Sequence, residues 1–339
     1  MAQHLKTDFV AIGGGGAGLA AALTAAEAGA DTIVLEKLAA VGGSTSFAEG
    51  LFAAESSIQR KKNIDITRDD SFKKHMEFCS WRADPRLVRA FIDKSASTID
   101  WLEDIGVEFI DAGALYPGAT GTWHTIKGFG AALIRALREN LEERNVRILK
   151  KTPAKKLVVK DSRIAGVIAE DRDGNEIHIE TKAVLIADGG FANSRELLEK
   201  YTSAGTNLRC SGNLGSAGDG MLMAWEIGAA PHGTDVMQIT TPGVKSQKGM
   251  THLKAALCQP YLWINQLGQR FCDEGLMRFP LVGNAQANQK NQIMFTLFDE
   301  DTKNHLIETG VDYNMGMYVP PATKLEDLDE DLKRGTRDK

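Results

Sequence analysis

Two short apolar runs open the chain, Phe9-Val-Ala-Ile12 and Thr32-Ile-Val-Leu35, each closed by glycine or charge. Between them Leu19-Ala-Ala-Ala-Leu-Thr-Ala-Ala26 is small and apolar over helical length. The pattern predicts strand, helix, strand, with the strands buried on both faces as in a parallel sheet. A 3.6-residue period follows over residues 84–105, where Leu87, Val88, Phe91, Ile92, Ile99 and Leu102 share one face. Asp84 caps that helix, Pro85 suits its first turn and Gly106 ends it. A second amphipathic helix spans about 130–144, with Leu133, Ile134, Leu137 and Leu141 inward. From Val146 the period drops to two: a short strand at 146–149, then strands at 156–160, 163–169 and 176–180 joined by turns at Asp161-Ser162 and Asp173-Gly174. Residues 183–187 form another continuous apolar run, read as a strand buried on both faces, stopping at Asp188-Gly189-Gly190. Helices are expected from Arg195 and over 220–227. The periodicity weakens after Gly228, a second domain begins near Asp235, and 325–339 is a charge run. The fold class is α/β: a Rossmann-like dinucleotide domain with a β-hairpin layer over residues 1–234, then a smaller domain over 235–339.

The turn after the first strand carries the first chemistry. Gly13, Gly15 and Gly18 fit G-x-G-x-x-G, and Glu36 ends the following strand. A lone glycine pattern is weak, but between a strand and a helix, with an acid after the next strand, it marks a dinucleotide site. Gly13 turns the chain, Gly15 lets backbone approach a pyrophosphate, and Gly18 brings helix and sheet together. The helix start, at Gly16 and Ala17, presents unpaired N–H groups and the positive dipole end. Glu36 can accept hydrogen bonds from ribose hydroxyls. A second small-residue loop follows, Gly42-Gly43-Ser44-Thr45, leading to Gly50.

Composition narrows the classes. The 339 residues are 43% hydrophobic with net charge −5, and no dense basic patch suggests a nucleic-acid partner. Cys79, Cys210, Cys258 and Cys272 are dispersed, so neither a disulfide framework nor a metal site is expected. No signal-peptide core or membrane-spanning run stands out, which makes the cytoplasm the expected location.

With these pieces in order, the chain resembles the FAD-dependent fumarate reductase and succinate dehydrogenase flavoprotein family. The likeness is greatest to its soluble single-chain branch, which includes 3-oxosteroid dehydrogenases and urocanate-type reductases. It rests on Gly13 to Gly18 with Glu36-Lys37, on Gly42-Gly43-Ser44-Thr45, and on Ala187-Asp188-Gly189-Gly190-Phe191. It rests also on Gly218-Asp219-Gly220 with the Met-Leu-Met-Ala-Trp that follows, and on Gly268-Gln-Arg270-Phe-Cys-Asp-Glu274. The resemblance implies FAD rather than NAD. A NAD enzyme has no need of a second glycine–hydroxyl loop directly after the ribose acid, whereas FAD extends further. Carried over, Lys37 joins Glu36 at the cofactor, and Gly43, Ser44, Thr45 and Gly50 lie along the ribityl and flavin. Ala154 approaches the adenine through its backbone, Ala187 and Gly189 close over the dinucleotide, and Asp219 lies by the flavin. Asp188 replaces the family's usual Thr and puts negative charge near the phosphates unless it points away.

The resemblance further implies hydride transfer between flavin N5 and an activated C=C or CH–CH bond. Arg278 matches the arginine that protonates the substrate carbon. Thr240, Thr241 and His252 are the substrate-side candidates. The family's relay acid and arginine fall near Lys254 and Leu257, and its substrate histidine near Thr240, which points from fumarate toward an enoate, enone or ketosteroid-like substrate. His124 either faces the flavin or is structural. The family's closing glycine-rich stretch has no match, so residues 235–339 read as an incomplete α+β cap domain. The alternative reading is a truncated, non-catalytic FAD-binding fragment. Expected partners are a small-molecule substrate and an external electron donor.

Overall fold

The computed structural model describes residues 3–114, 119–202, 205, 208, 210, 215–235, 237–239, 261–274, 279–302, 304, 311–312 and 317–318. The chain divides into two compact units. One comprises Met1–Gly113, Thr120–Lys200 and Arg209–Thr234; the other comprises Ala114–Ala119, Tyr201–Leu208 and Asp235–Lys339. The described elements run β1 (Gln3–Lys6), β2 (Phe9–Ile12), α1 (Gly16–Glu27), β3 (Thr32–Glu36), β4 (Gly50–Phe52), α2 (Ser57–Lys61), α3 (Arg68–Phe78), α4 (Pro85–Asp104), β5 (Phe109–Gly113), β6 (Trp123–Ile126), α5 (Phe129–Glu143), β7 (Arg147–Lys150), β8 (Ala154–Lys160), β9 (Arg163–Glu170), β10 (Glu176–Glu180), β11 (Ala183–Ile186), α6 (Arg195–Tyr201), α7 (Asp219–Glu226), β12 (Leu262–Asn265) and β13 (Met294–Leu297).

The first unit is built on a parallel sheet of order β11–β2–β3–β7. Successive residues of a strand face opposite ways, so its two central strands feed two cores. Ala11 and Val34 pack with Leu19, Leu23, Leu133, Leu137 and Leu141 of α1 and α5. Val10, Ile12, Ile33 and Leu35 pack on the other side with Leu157, Val167, Ile177 and Ile179. These last residues belong to the second sheet, β1–β10–β9–β8, in which the two hairpins form the expected antiparallel layer.

Three details differ from expectation. β1 joins that second sheet parallel to β10; its Gln-His-Leu-Lys sequence has no apolar period to announce it. β11 is not buried on both faces: it pairs with β2 alone among the described strands, and its residues are exposed or half-buried. In α4, Val88, Ile92, Ile99 and Leu102 are buried, but Leu87 and Phe91 are 70% and 55% exposed. Phe91 instead stacks on Phe52, with ring centroids 5.3 Å apart. The α4 cap is as read, with Asp84 Oδ1 accepting the Arg86 N–H at 2.9 Å. Among the described residues no helix is long and apolar enough to cross a membrane.

A third, antiparallel sheet, β4–β6–β5, encloses a buried polar network. Ser56, Gln59 and His124 are each fully buried. His124 Nδ1 lies 3.2 Å from the Thr122 carbonyl and Nε2 lies 2.7 Å from Ser56 Oγ. Ser56 Oγ in turn accepts the Gln59 N–H. One tautomer satisfies all of this: Nδ1–H donates and Nε2 accepts from the hydroxyl. The histidine is therefore structural, and burial pushes its pKa below the ordinary value. A depressed histidine pKa contributes stability above the unfolded value of about 6.5, which is lost as pH falls toward the folded value. Unfolding free energy should thus decline as pH falls below about 6.5, by up to roughly 1.4 kcal/mol per pH unit. In His124→Asn that slope should flatten. Equal slopes in urea titrations of both proteins would contradict this.

Candidate functional site

The glycine turn between β2 and α1 sets the floor of a groove in the first unit. Gly13 has φ +108°, and a Cβ there would press into the Ala187 carbonyl and stand 2.7 Å from Asp188 Cα. Inside α1, a Cβ on Gly18 would fall on the Gly13 carbonyl oxygen. Packing alone therefore requires both glycines. Gly15 is different. Its φ of −80° suits any residue, and a Cβ would meet only the Gly42 carbonyl oxygen, at 3.9 Å.

Glu36 is buried, with both carboxylate oxygens engaged by backbone. Oε2 accepts the Gly14 N–H at 2.9 Å and Oε1 the Leu38 N–H at 2.7 Å. The acid thus braces the glycine turn as well as lining the groove, a role its position after the strand did not suggest. Thr45 sits across from α1, its Oγ1 accepting the Gly16 N–H at 3.2 Å. The hydroxyl keeps its own proton to donate.

Around this groove the structure gathers Gly13, Gly15, Gly16, Ala17, Glu36 and Lys37, then Gly43, Ser44 and Thr45, which form a short 3-10 helix (Gly43–Phe47) rather than the expected loop, and Ala154, Ala187, Gly189 and Asp219. Gly18 lies beneath it, against Gly13. Gly50 is not among the lining residues; a Cβ there would meet the Trp123 indole at 2.6 Å, so packing explains it. Pro153, Gly215, Ser216 and Met223 line the groove too. No motif in the sequence marked these four. Arg278, Thr240, Thr241, His252, Lys254 and Leu257 lie outside the described residues.

Two acids of the groove have partners that the sequence concealed. Lys37 Nζ pairs with Asp219 Oδ2 at 2.6 Å, so Asp219 stands beside the Glu36–Lys37 end of β3. Asp188 Oδ2 accepts the Gly220 N–H at 2.7 Å, directing the charge to the start of α7. Burial still pushes the Asp188 carboxyl above the ordinary carboxylate range, against the pull of that hydrogen bond.

In the second unit β12 pairs antiparallel with β13. The Gly268–Glu274 stretch has a structural reason there. Glu274 is buried, accepts the Trp263 N–H at 2.9 Å, and pairs with Arg270 Nη2 at 2.7 Å. Among the described residues no cluster of ligating side chains could hold a metal.

A family model described as an FAD binding domain matches residues 8–314. The chain belongs to the FAD-dependent fumarate reductase and succinate dehydrogenase flavoprotein family. A vinyl phenol reductase of Lactiplantibacillus plantarum is 36% identical over 344 residues, covering 98% of this chain and 69% of that protein. A urocanate reductase of Eggerthella lenta is 29% identical over 88% of this chain and 50% of its own length. Among solved structures, the open conformation of a flavocytochrome c3 fumarate reductase superposes with a TM-score of 0.75 at 25% identity. That match covers 97% of this chain and 61% of the other. The chain thus spans about half to two-thirds of the length of these relatives.

FAD is the cofactor of this family, and the groove fits it on one internal observation. Neither backbone strain nor a neighbouring atom of the protein demands glycine at position 15. The free space above it is where a side chain would stand, at the open N-terminus of α1, and a diphosphate needs that space.

Proposed function

We propose that this chain is the FAD-binding part of a reductase of the fumarate and enoate type, acting on an activated C=C bond. When bound, FAD supplies the two-electron hydride chemistry. The chain's own residues do the rest. Backbone N–H groups at Gly15 and Ala17 and the dipole of α1 receive the diphosphate; the Gly16 N–H, expected to be unpaired, is already taken by Thr45 Oγ1, whose hydroxyl proton is left to donate. Glu36, with Lys37 beside it, accepts from ribose hydroxyls through the lone pairs its backbone partners leave free. Gly43, Ser44 and Thr45 line the ribityl side of the groove. Ala154, Ala187, Gly189 and Asp219 form the opposite wall. Residues 1–234 serve as the FAD-binding domain and 235–339 as part of the substrate domain. The open space over Gly15 is the observation that carries the cofactor assignment to this groove.

For the substrate side, Arg278 is the proton donor to the α-carbon, with Thr240, Thr241 and His252 around the substrate. A guanidinium holds its proton tightly, so it must be re-protonated by a relay. Lys254 and Leu257 stand where the family has a relay acid and arginine, and Thr240 stands where it has the fumarate-binding histidine. These departures favour a less charged acceptor than fumarate, in line with the activity that the vinyl phenol reductase's name states. The protein works in the cytoplasm and takes electrons from an external donor.

The test is turnover of the FAD-loaded chain with reduced viologen against fumarate, urocanate and vinyl phenol. Fumarate reduction is expected to be weak or absent. Arg278→Ala should remove any alkene reduction while leaving the flavin absorption unchanged. Brisk fumarate turnover, or full activity in Arg278→Ala, would overturn this reading.

A further inference from the structure

The start of α7 is held from outside the helix. Gly218, at φ +82°, precedes it and has no side chain to cap it. The first N–H groups of a helix lack internal partners, and here the Gly220 N–H is taken by Asp188 Oδ2 at 2.7 Å. Glycine at 220 is obligatory for that contact, because a Cβ would fall on Asp188 Oδ1 and Ile186 Cγ2. In the same turn, Asp219 reaches Lys37 at 2.6 Å. Each residue of Gly218-Asp219-Gly220 therefore has its own reason: a left-handed turn, an ion pair and room for a carboxylate.

The placement of these two tethers matters. Asp188 follows the end of β11 and Lys37 follows the end of β3, and these are the strands on either side of β2. The first turn of α7 is thus anchored to both neighbours of the strand that launches the glycine turn. Asp188 is also stacked behind that turn, its Cα packed where Gly13 leaves no space for a Cβ.

We propose that Asp188 is a positioning residue for the cofactor groove. Its carboxylate caps α7 from another element, and so fixes the wall that carries Asp219. Although Asp188 lines the groove, its carboxylate is turned to the Gly220 N–H, and it acts through the helix it holds. What the groove needs from position 188 is an acceptor at that place, rather than a negative charge.

The proposal rests on the groove being the FAD site, so the test carries a control for that reading. FAD is titrated into the apoprotein, following flavin fluorescence, for wild type, Asp188→Asn, Asp188→Glu, Asp188→Ala and Gly15→Val. Asp188→Asn keeps an acceptor at the same reach and should bind FAD within about threefold of wild type. Asp188→Glu keeps the charge but moves the acceptor by a methylene, and should bind about tenfold more weakly, as should Asp188→Ala. Wild-type affinity in Asp188→Glu, or equal weakening in Asp188→Asn and Asp188→Glu, overturns the proposal. Should the alanine variant not fold, the Asn and Glu pair decides alone. If Gly15→Val also binds normally, it is the groove assignment that has failed.

Discussion

Valine at position 15 is expected to abolish FAD binding while leaving the apoprotein folded. The backbone there has φ −80° and ψ 179°, which a β-branched residue accepts readily. The nearest atom to a Cβ is 3.9 Å away, so the protein itself has no quarrel with the side chain. The methyl groups would project into the space that a diphosphate occupies at the start of α1, and would hold it off the N–H groups that receive it. A loss of at least about a hundredfold in affinity is expected, roughly 2.8 kcal/mol or more. Fluorescence titration of FAD, with thermal unfolding of the apoprotein alongside, separates binding from folding. Near-normal affinity in Gly15→Val would falsify the assignment of FAD to this groove.

Alanine at position 18 should do the reverse and strike the fold first. In an ordinary helix, replacing glycine by alanine stabilises by about 1 kcal/mol. Here the new Cβ would lie on the Gly13 carbonyl oxygen, a backbone atom of a turn pinned between Ala187 and α1. Overpacking of this kind costs roughly 3 kcal/mol, so a net destabilisation of about 2 kcal/mol is expected. FAD binding should fall with it, because the turn can relieve the contact only by moving. Chemical denaturation of the apoprotein measures the first effect. A Gly18→Ala protein as stable as wild type would show that helix and turn are not packed as described. Glycines 15 and 18, three residues apart in one motif, are thus required for different reasons, one by the ligand and one by the chain.

Much of the nucleotide domain was legible because its strands are continuous apolar runs closed by glycine or charge. The runs ending at Ile12, Leu35 and Ile186 are adjacent in one parallel sheet, as their pattern implied. The hairpins were legible from their turns. What escaped had no periodic signature. Gln3–Lys6 is a strand only because β10 offers it an edge. Leu87 and Phe91 sit at the right helical spacing, yet the surface they face leaves them exposed. The 183–186 run is as apolar as a central strand but lies beside β2 alone among the described strands. At the site, residue type foretold which segments meet, but not how the polar atoms are shared. Glu36 serves the backbone of Gly14 and Leu38, Lys37 serves Asp219, and Asp188 turns to Gly220. Such pairings join segments up to 182 residues apart, and no local pattern encodes them.

The most direct measurement is of what the purified chain itself carries. Expected are oxidised flavin absorption bands, with FAD released on denaturation and identified by mass, or full uptake of added FAD by the apoprotein. A colourless protein that takes up no added FAD, or that binds NAD in its place, would contradict the groove's assignment to FAD.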